Sequence, residues 1–232
     1  MNGFLTQARA GAPAAIASQF LFENGALFGL SPAELVSFTP VREAKDDGTG
    51  VTHLYLGQRL NGIQVFQSVI KTHVDAGGRV ISVEGSYHPG TMPPSLAPRL
   101  SARDAATAAM RSTVPDLVEK SARRLPPFVS AAPPQSGARG TALVPVGLPA
   151  EDLTEIVPAG GPDRHTVFAP GLLADPIHAN LVIFPSPNGS VLAWQVYLHA
   201  MDRQAAYTVL IDASSGNLLY RSNGYRFATN PN

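Results

Sequence analysis

Two hydrophobic periods alternate along the chain. From Pro13 to Leu30, PAAIASQFLFENGALFGL, the apolar residues Ile16, Phe20, Leu21, Leu27 and Phe28 recur near helical spacing, which predicts one amphipathic helix. Ser31-Pro32-Ala33-Glu34 then opens a fresh helical turn, with Ser31 as N-cap, Pro32 at the first helical position and Glu34 reaching back to the cap. After a polar bend over Ala44 to Gly50 the period drops to two, so that Leu54 and Leu56 share one face and His53 and Tyr55 the other. Asn61-Gly62, a pair that tolerates positive φ, predicts a hairpin into a returning strand, Ile63 to Val74. The turn Asp75 to Gly78 feeds a third strand, Val80 to Ser86. The product is an antiparallel meander with one face on the Pro13–Leu30 helix.

Four prolines in HPGTMPPSLAP, His88 to Pro98, deny both helix and ladder hydrogen bonds and mark a domain boundary. Ser101 caps a new helix running to about Val114, where Pro115 bends or ends it. Arg123 to Pro176 is rich in proline and glycine, with strand candidates at Ala142–Val146 and His165–Phe168. From Ala179 alternation returns: Leu181–Phe184, a Pro187-Asn188-Gly189 turn, Leu192–Ala200, a bend at Asp202-Arg203, Ala206–Ile211, a turn over Asp212–Gly216, then Asn217–Arg221. Each half therefore repeats one plan, helix first and sheet after. The expected fold class is α+β, two cystatin-like units each with a helix packed on an antiparallel sheet, divided as 1–92, 93–226 and a tail or linker at 227–232.

Composition removes several functions. Lys plus Arg and Asp plus Glu both number 17, so no global field draws the chain to nucleic acid or an anionic membrane. No cysteine is present, which excludes disulfides, thiolate zinc sites and cysteine nucleophiles. No apolar run approaches the roughly 18 residues of a membrane span. The start, MNGFLTQARAGAPAAIASQF, lacks the basic and apolar regions of a secretory signal, so the expectation is either no export or a start placed after a removed signal.

Catalytic candidates are equally sparse. Six histidines, His53, His73, His88, His165, His178 and His199, show no i, i+4 spacing and no HExxH; they read as ordinary strand and loop residues, and no metal is assigned. Asp46-Asp47-Gly48-Thr49-Gly50 lacks the alternating acids of a calcium loop and reads as a solvated turn. Asp75, Asp202 and Asp212 begin bends that their own side chains stabilise. No serine sits in a GxSxG elbow, and no glycine set forms a phosphate loop. Asn188-Gly189-Ser190 matches a glycosylation acceptor but is better explained as a turn. Trp194, alternating with Val196 and Leu198, is expected in the core.

Against that background, Thr52 to Tyr87, THLYLGQRLNGIQVFQSVIKTHVDAGGRVISVEGSY, resembles the fungalysin/thermolysin propeptide (FTP) motif. Gln58, Asn61, Gly62, Ile63 and Val65 match its pattern, while Gln64 stands where the family commonly has proline. Leu192 to Asn223, with Trp194, Asp212 and Gly216, is similar to the PepSY module. The order FTP then PepSY resembles the prodomain of M36 fungalysin-type metallopeptidases. The resemblance implies a secreted or periplasmic propeptide, an intramolecular chaperone and inhibitor of a zinc metalloendopeptidase whose catalytic domain, in cis or in trans, is the partner and alone carries zinc. No catalysis, metal or cofactor is expected of these residues, since no HExxH precedes Asn232. The alternative is a stand-alone FTP/PepSY binding module or secreted inhibitor. Tyr220, Arg221, Asn223, Tyr225 and Arg226, in a tail expected to be exposed, are the candidate partner-contact or cleavage region.

Overall fold

The computed structural model describes residues 3–90, 93, 95–113, 153–171, 173–200 and 205–224. The expected strand at Ala142–Val146, the helix end at Val114–Pro115, the bend at Asp202-Arg203, Tyr225, Arg226 and the 227–232 tail lie outside these. The described residues form a mixed α+β structure in two compact units. One takes the residues up to Ala97 with Gly161–Asp163 and Leu181–Leu192; the other takes Pro98 onward, with Arg164–Asn180 and the chain from Ala193.

In the first unit, helix α1 spans Pro13–Asn24 and continues as a 3-10 turn, Gly25–Phe28, ending on Gly29 at φ 67°. The single helix expected to Leu30 is thus shorter and breaks at Asn24-Gly25, where glycine weakens helix. Helix α2 is one turn, Pro32–Leu35. Its capping box is complete: Ser31 Oγ accepts from the Glu34 N–H and the Glu34 side chain accepts from the Ser31 N–H. Strands β1 (Phe38–Lys45), β2 (Thr52–Leu60), β3 (Ile63–Val74) and β4 (Val80–Ser86) follow in antiparallel order. The residues of α1 facing the sheet, Ile16, Ala17 and Phe20, close a core with Leu54, Val74 and Val80, and Leu21 joins Leu30, Phe38, Leu56 and Ile70 in a second cluster. Burying each such large apolar side chain contributes on the order of 2 kcal/mol.

Strand β1 escapes the sequence pattern for physical reasons. FTPVREAK contains Pro40 and is exposed along most of its length, as suits a sheet edge. Its register slips between Pro40 and Arg42, leaving Val41 as the extra residue of a bulge. Val41 lies over Gly57, where a Cβ would sit 2.8 Å from its Cγ1.

In the second unit, helix α3 (Ala102–Thr113) packs on β9 (Ala205–Asp212) and β10 (Leu218–Asn223). Ser101 caps it as expected, Oγ accepting from the Asp104 N–H at 3.2 Å. Strand β6 (His165–Phe168) falls where the pattern placed it, and pairs with β5 (Glu155–Gly160) and with the Ile177–Ala179 end of β7 (Ile177–Phe184), whose residues from Leu181 belong to the first unit. Strand β5, EIVPAG, was not expected: it is exposed throughout and carries Pro158, so no alternation marks it. Strand β8 (Val191–Ala200) pairs antiparallel with β9, and β9 with β10. Ala105, Ala106, Ala109 and Met110 of α3 are buried, as are Trp194, Val196, Val209 and Ile211.

Candidate functional site

The residues singled out around Asn61-Gly62 converge on one irregularity of the first unit. Asn61 and Gly62 have φ of 50° and 81°, the paired positive angles of a tight hairpin. Below the turn, Arg59 faces Gln64 but Gly57 faces Val69, so Gln58 alone stands opposite residues 65–68. Gln58 is only 1% exposed, and Ser68 Oγ donates to its Oε1 at 2.7 Å. Gln67 takes up the bend with φ 56°, unusual for a residue with a Cβ. The bulge turns the start of β3 aside, and Gln64 and Val65 pair in parallel with Val182 and Ile183 of β7. Ile63 and Val65 are buried, and Phe66 meets Phe184 with ring centroids 6.1 Å apart. A Cβ on Gly62 would come within 2.7 Å of Pro162. The glutamine, the glycine and the apolar pair are therefore one device, a hydrogen-bonded side chain holding a wide bulge open.

The first unit also carries an apolar groove of about 360 Å³, lined by Ser18, Gln19, Leu21 and Phe22 of α1 and by Leu35, Val36, Phe38 and Leu56. Phe22 and Val36 are 62% and 75% exposed. Glu34, next to the groove, is held below the usual carboxylate range by the Ser31 hydroxyl, then by the Gly90 and Ser31 N–H groups.

The remaining sequence candidates have structural positions. Asp46 Oδ1 accepts from the Gly48 and Thr49 N–H groups, Asp75 Oδ1 from Gly77 and Arg79, and Asp212 Oδ1 from Ser214 and Ser215. In the second unit Trp194 is 2% exposed and its Nε1 donates to the Leu100 carbonyl at 3.0 Å. Gly216, at φ 78°, closes the turn that Asp212 opens. Tyr220, Arg221 and Asn223 stand in β10, paired with β9, and not in a free tail; Arg221 Nη1 donates to the Ser112 carbonyl and Asn223 Oδ1 accepts from the Ala206 N–H.

Sequence spacing missed the histidines' partners because tertiary pairing of separate segments, not helix periodicity, assembles them. His53 and His73 sit opposite one another on β2 and β3 with Nδ1 atoms 2.6 Å apart. His165 stacks on His178, and His199 Nδ1 meets Asp175 Oδ2 at 2.5 Å. Among the described residues, no three His, Asp or Glu side chains gather as a metal site would need. No described helix is long and apolar enough to cross a membrane.

Residues 36–87 match the Fungalysin/Thermolysin Propeptide Motif. The match begins on Val36 in the groove and runs through β1 to β4, so it contains the Gln58 bulge entire. It identifies that segment as a propeptide motif, a non-catalytic class, and places it in a thermolysin/fungalysin-type protease context. No curated protein matches the chain. Among solved structures, the Bacillus megaterium YpeB C-terminal domain is similar at 11% identity over 94% of this chain and 67% of that one, with a TM-score of 0.36, a likeness too slight to carry an argument.

Proposed function

We propose that this chain is the propeptide of a secreted or periplasmic zinc metalloendopeptidase of the fungalysin type, acting as its folding assistant and inhibitor. One observation carries the proposal: the propeptide motif covers the bulge-bearing sheet and part of the wall of an exposed apolar groove. A preformed surface of this kind lowers the entropy cost of ordering a partner. The catalytic domain, carrying the zinc, is the proposed occupant of the groove, because Val36, Phe38 and Leu56 on its wall belong to the matched segment itself.

In this proposal the two units are cystatin-like, 1–92 of FTP type and 93–226 of PepSY type. The helix-on-strands arrangement of each, and the buried Trp194 and Asp212–Gly216 turn in the second, support it. Family-motif residues Gln58, Asn61, Gly62, Ile63, Val65, Trp194, Asp212 and Gly216 act structurally, and chemistry belongs to the partner. Tyr220 to Arg226 is the proposed partner-contact or cleavage region, of which Tyr220–Asn223 stand in β10.

The test is refolding. A denatured fungalysin-type catalytic domain diluted with an excess of this chain is expected to recover activity severalfold better than with an unrelated protein. Equal recovery in both would reject the assistant role and favour a binding module with some other target.

A further inference from the structure

His53 and His73 occupy one cross-strand row on the sheet face away from α1, running Ala44, His53, His73, Ser82 across β1 to β4. Their Nδ1 atoms are 2.6 Å apart and the rings meet edge-on at 77°. Such an approach requires a hydrogen between the nitrogens: one neutral ring donates its Nδ1–H and the other accepts. A single added proton leaves the bridge intact, since an imidazolium Nδ1–H still donates to a neutral Nδ1. A second proton leaves two cationic donors facing each other with no acceptor.

Two carboxylates reach the pair electrostatically, Glu84 favouring a charged His73 and Asp46 interacting with His53, and each is already engaged elsewhere. From β1 the row meets Ala44, with Glu43 and Lys45 as its chain neighbours and Arg42 beyond; from β2, Tyr55, under the Arg42 guanidinium; from β4, Ser82 and Glu84. Glu84 is engaged by Lys71 of β3 at 3.6 Å. The Asp46 carboxylate, beyond β1, accepts the Gly48 and Thr49 N–H groups, and Asp75, beyond β3, is bound by Arg79.

We propose that the His53–His73 pair is an acid-sensitive latch on the first unit: it joins β2 to β3 through one bridging hydrogen, admits one extra proton, and gives way when acidity forces a second. Burial, and after it the neighbouring His53 ring, hold His73 below the ordinary imidazole range, in keeping with that geometry. In an unfolded chain an imidazole protonates near pH 6.5. Below that pH the unfolded chain holds more protons than the folded one, so the stability present at neutral pH is lost as pH falls. Each proton withheld lowers the folded-to-unfolded ratio by up to about tenfold per pH unit. For a chain that covers a peptidase, as proposed above, acid would then favour release; the latch itself does not depend on that reading.

Urea unfolding of the full chain between pH 7.5 and 5, alongside His53→Gln and His73→Gln, tests it without any peptidase. The wild type is expected to lose its folded-to-unfolded ratio up to about tenfold per pH unit more steeply than either variant below pH 6.5. Parallel profiles in all three overturn the latch. Imidazole NMR of the unsubstituted chain decides the matter even if a variant fails to fold. Two steps more than one pH unit apart for His53 and His73 support coupling, and two independent titrations near 6.5 refute it.

Discussion

Gln58 shows how one side chain sets a local shape. Its amide lies buried opposite residues 65–68 and accepts from Ser68, so truncation strands a hydroxyl inside the bulge. Gln58→Ala is expected to cost about 1–3 kcal/mol, read as a lower urea midpoint. Ser68→Ala, which removes the other partner, should give a similar loss. At Gly62 two penalties coincide, the positive φ and the contact with Pro162, and Gly62→Ala should lower stability by about 1–3 kcal/mol, measured by thermal unfolding. The importance of Asn61 and Gly62 was legible in the sequence because turn chemistry is local. The task of Gln58 was not, since a bulge depends on which residue of a distant strand stands opposite.

At the scale of elements, caps and alternation proved readable. Ser31 and Ser101 cap α2 and α3 through short-range bonds that the letters encode. Ser31→Ala is expected to cost about 1 kcal/mol, and its effect should shrink in acid. Glu34 is held below its ordinary range partly by Ser31, so its contribution is present above about pH 4.5 and is lost as pH falls through the lowered value. Denaturation of both forms at pH 7 and pH 3.5 checks this, the gap between them narrowing in acid. Strands β1 and β5 were illegible because an exposed edge has no reason to alternate and each carries a proline. The break after α1 was obscured by apolar residues that keep helical spacing beyond Gly25, where the backbone tightens into a 3-10 turn. Histidine pairs likewise depended on register: His53 and His73 are 20 residues apart in sequence yet directly opposed.

For the whole molecule, the proposed function lies in the surface it presents to a partner. The exposed Phe22 and Val36 of the groove contribute little to the core, so Phe22→Asp and Val36→Asp should alter stability by only about 0.5 kcal/mol. Both should weaken partner binding by tenfold or more, because burying an unpaired carboxylate is costly. The most direct measurement is titration of the purified chain against a fungalysin-type zinc endopeptidase, following peptide hydrolysis. The predicted result is saturable inhibition by the chain, shifted to at least tenfold higher concentration by Val36→Asp. Undiminished hydrolysis at a large excess of chain, or inhibition that Val36→Asp and Phe22→Asp leave unchanged, would contradict the account.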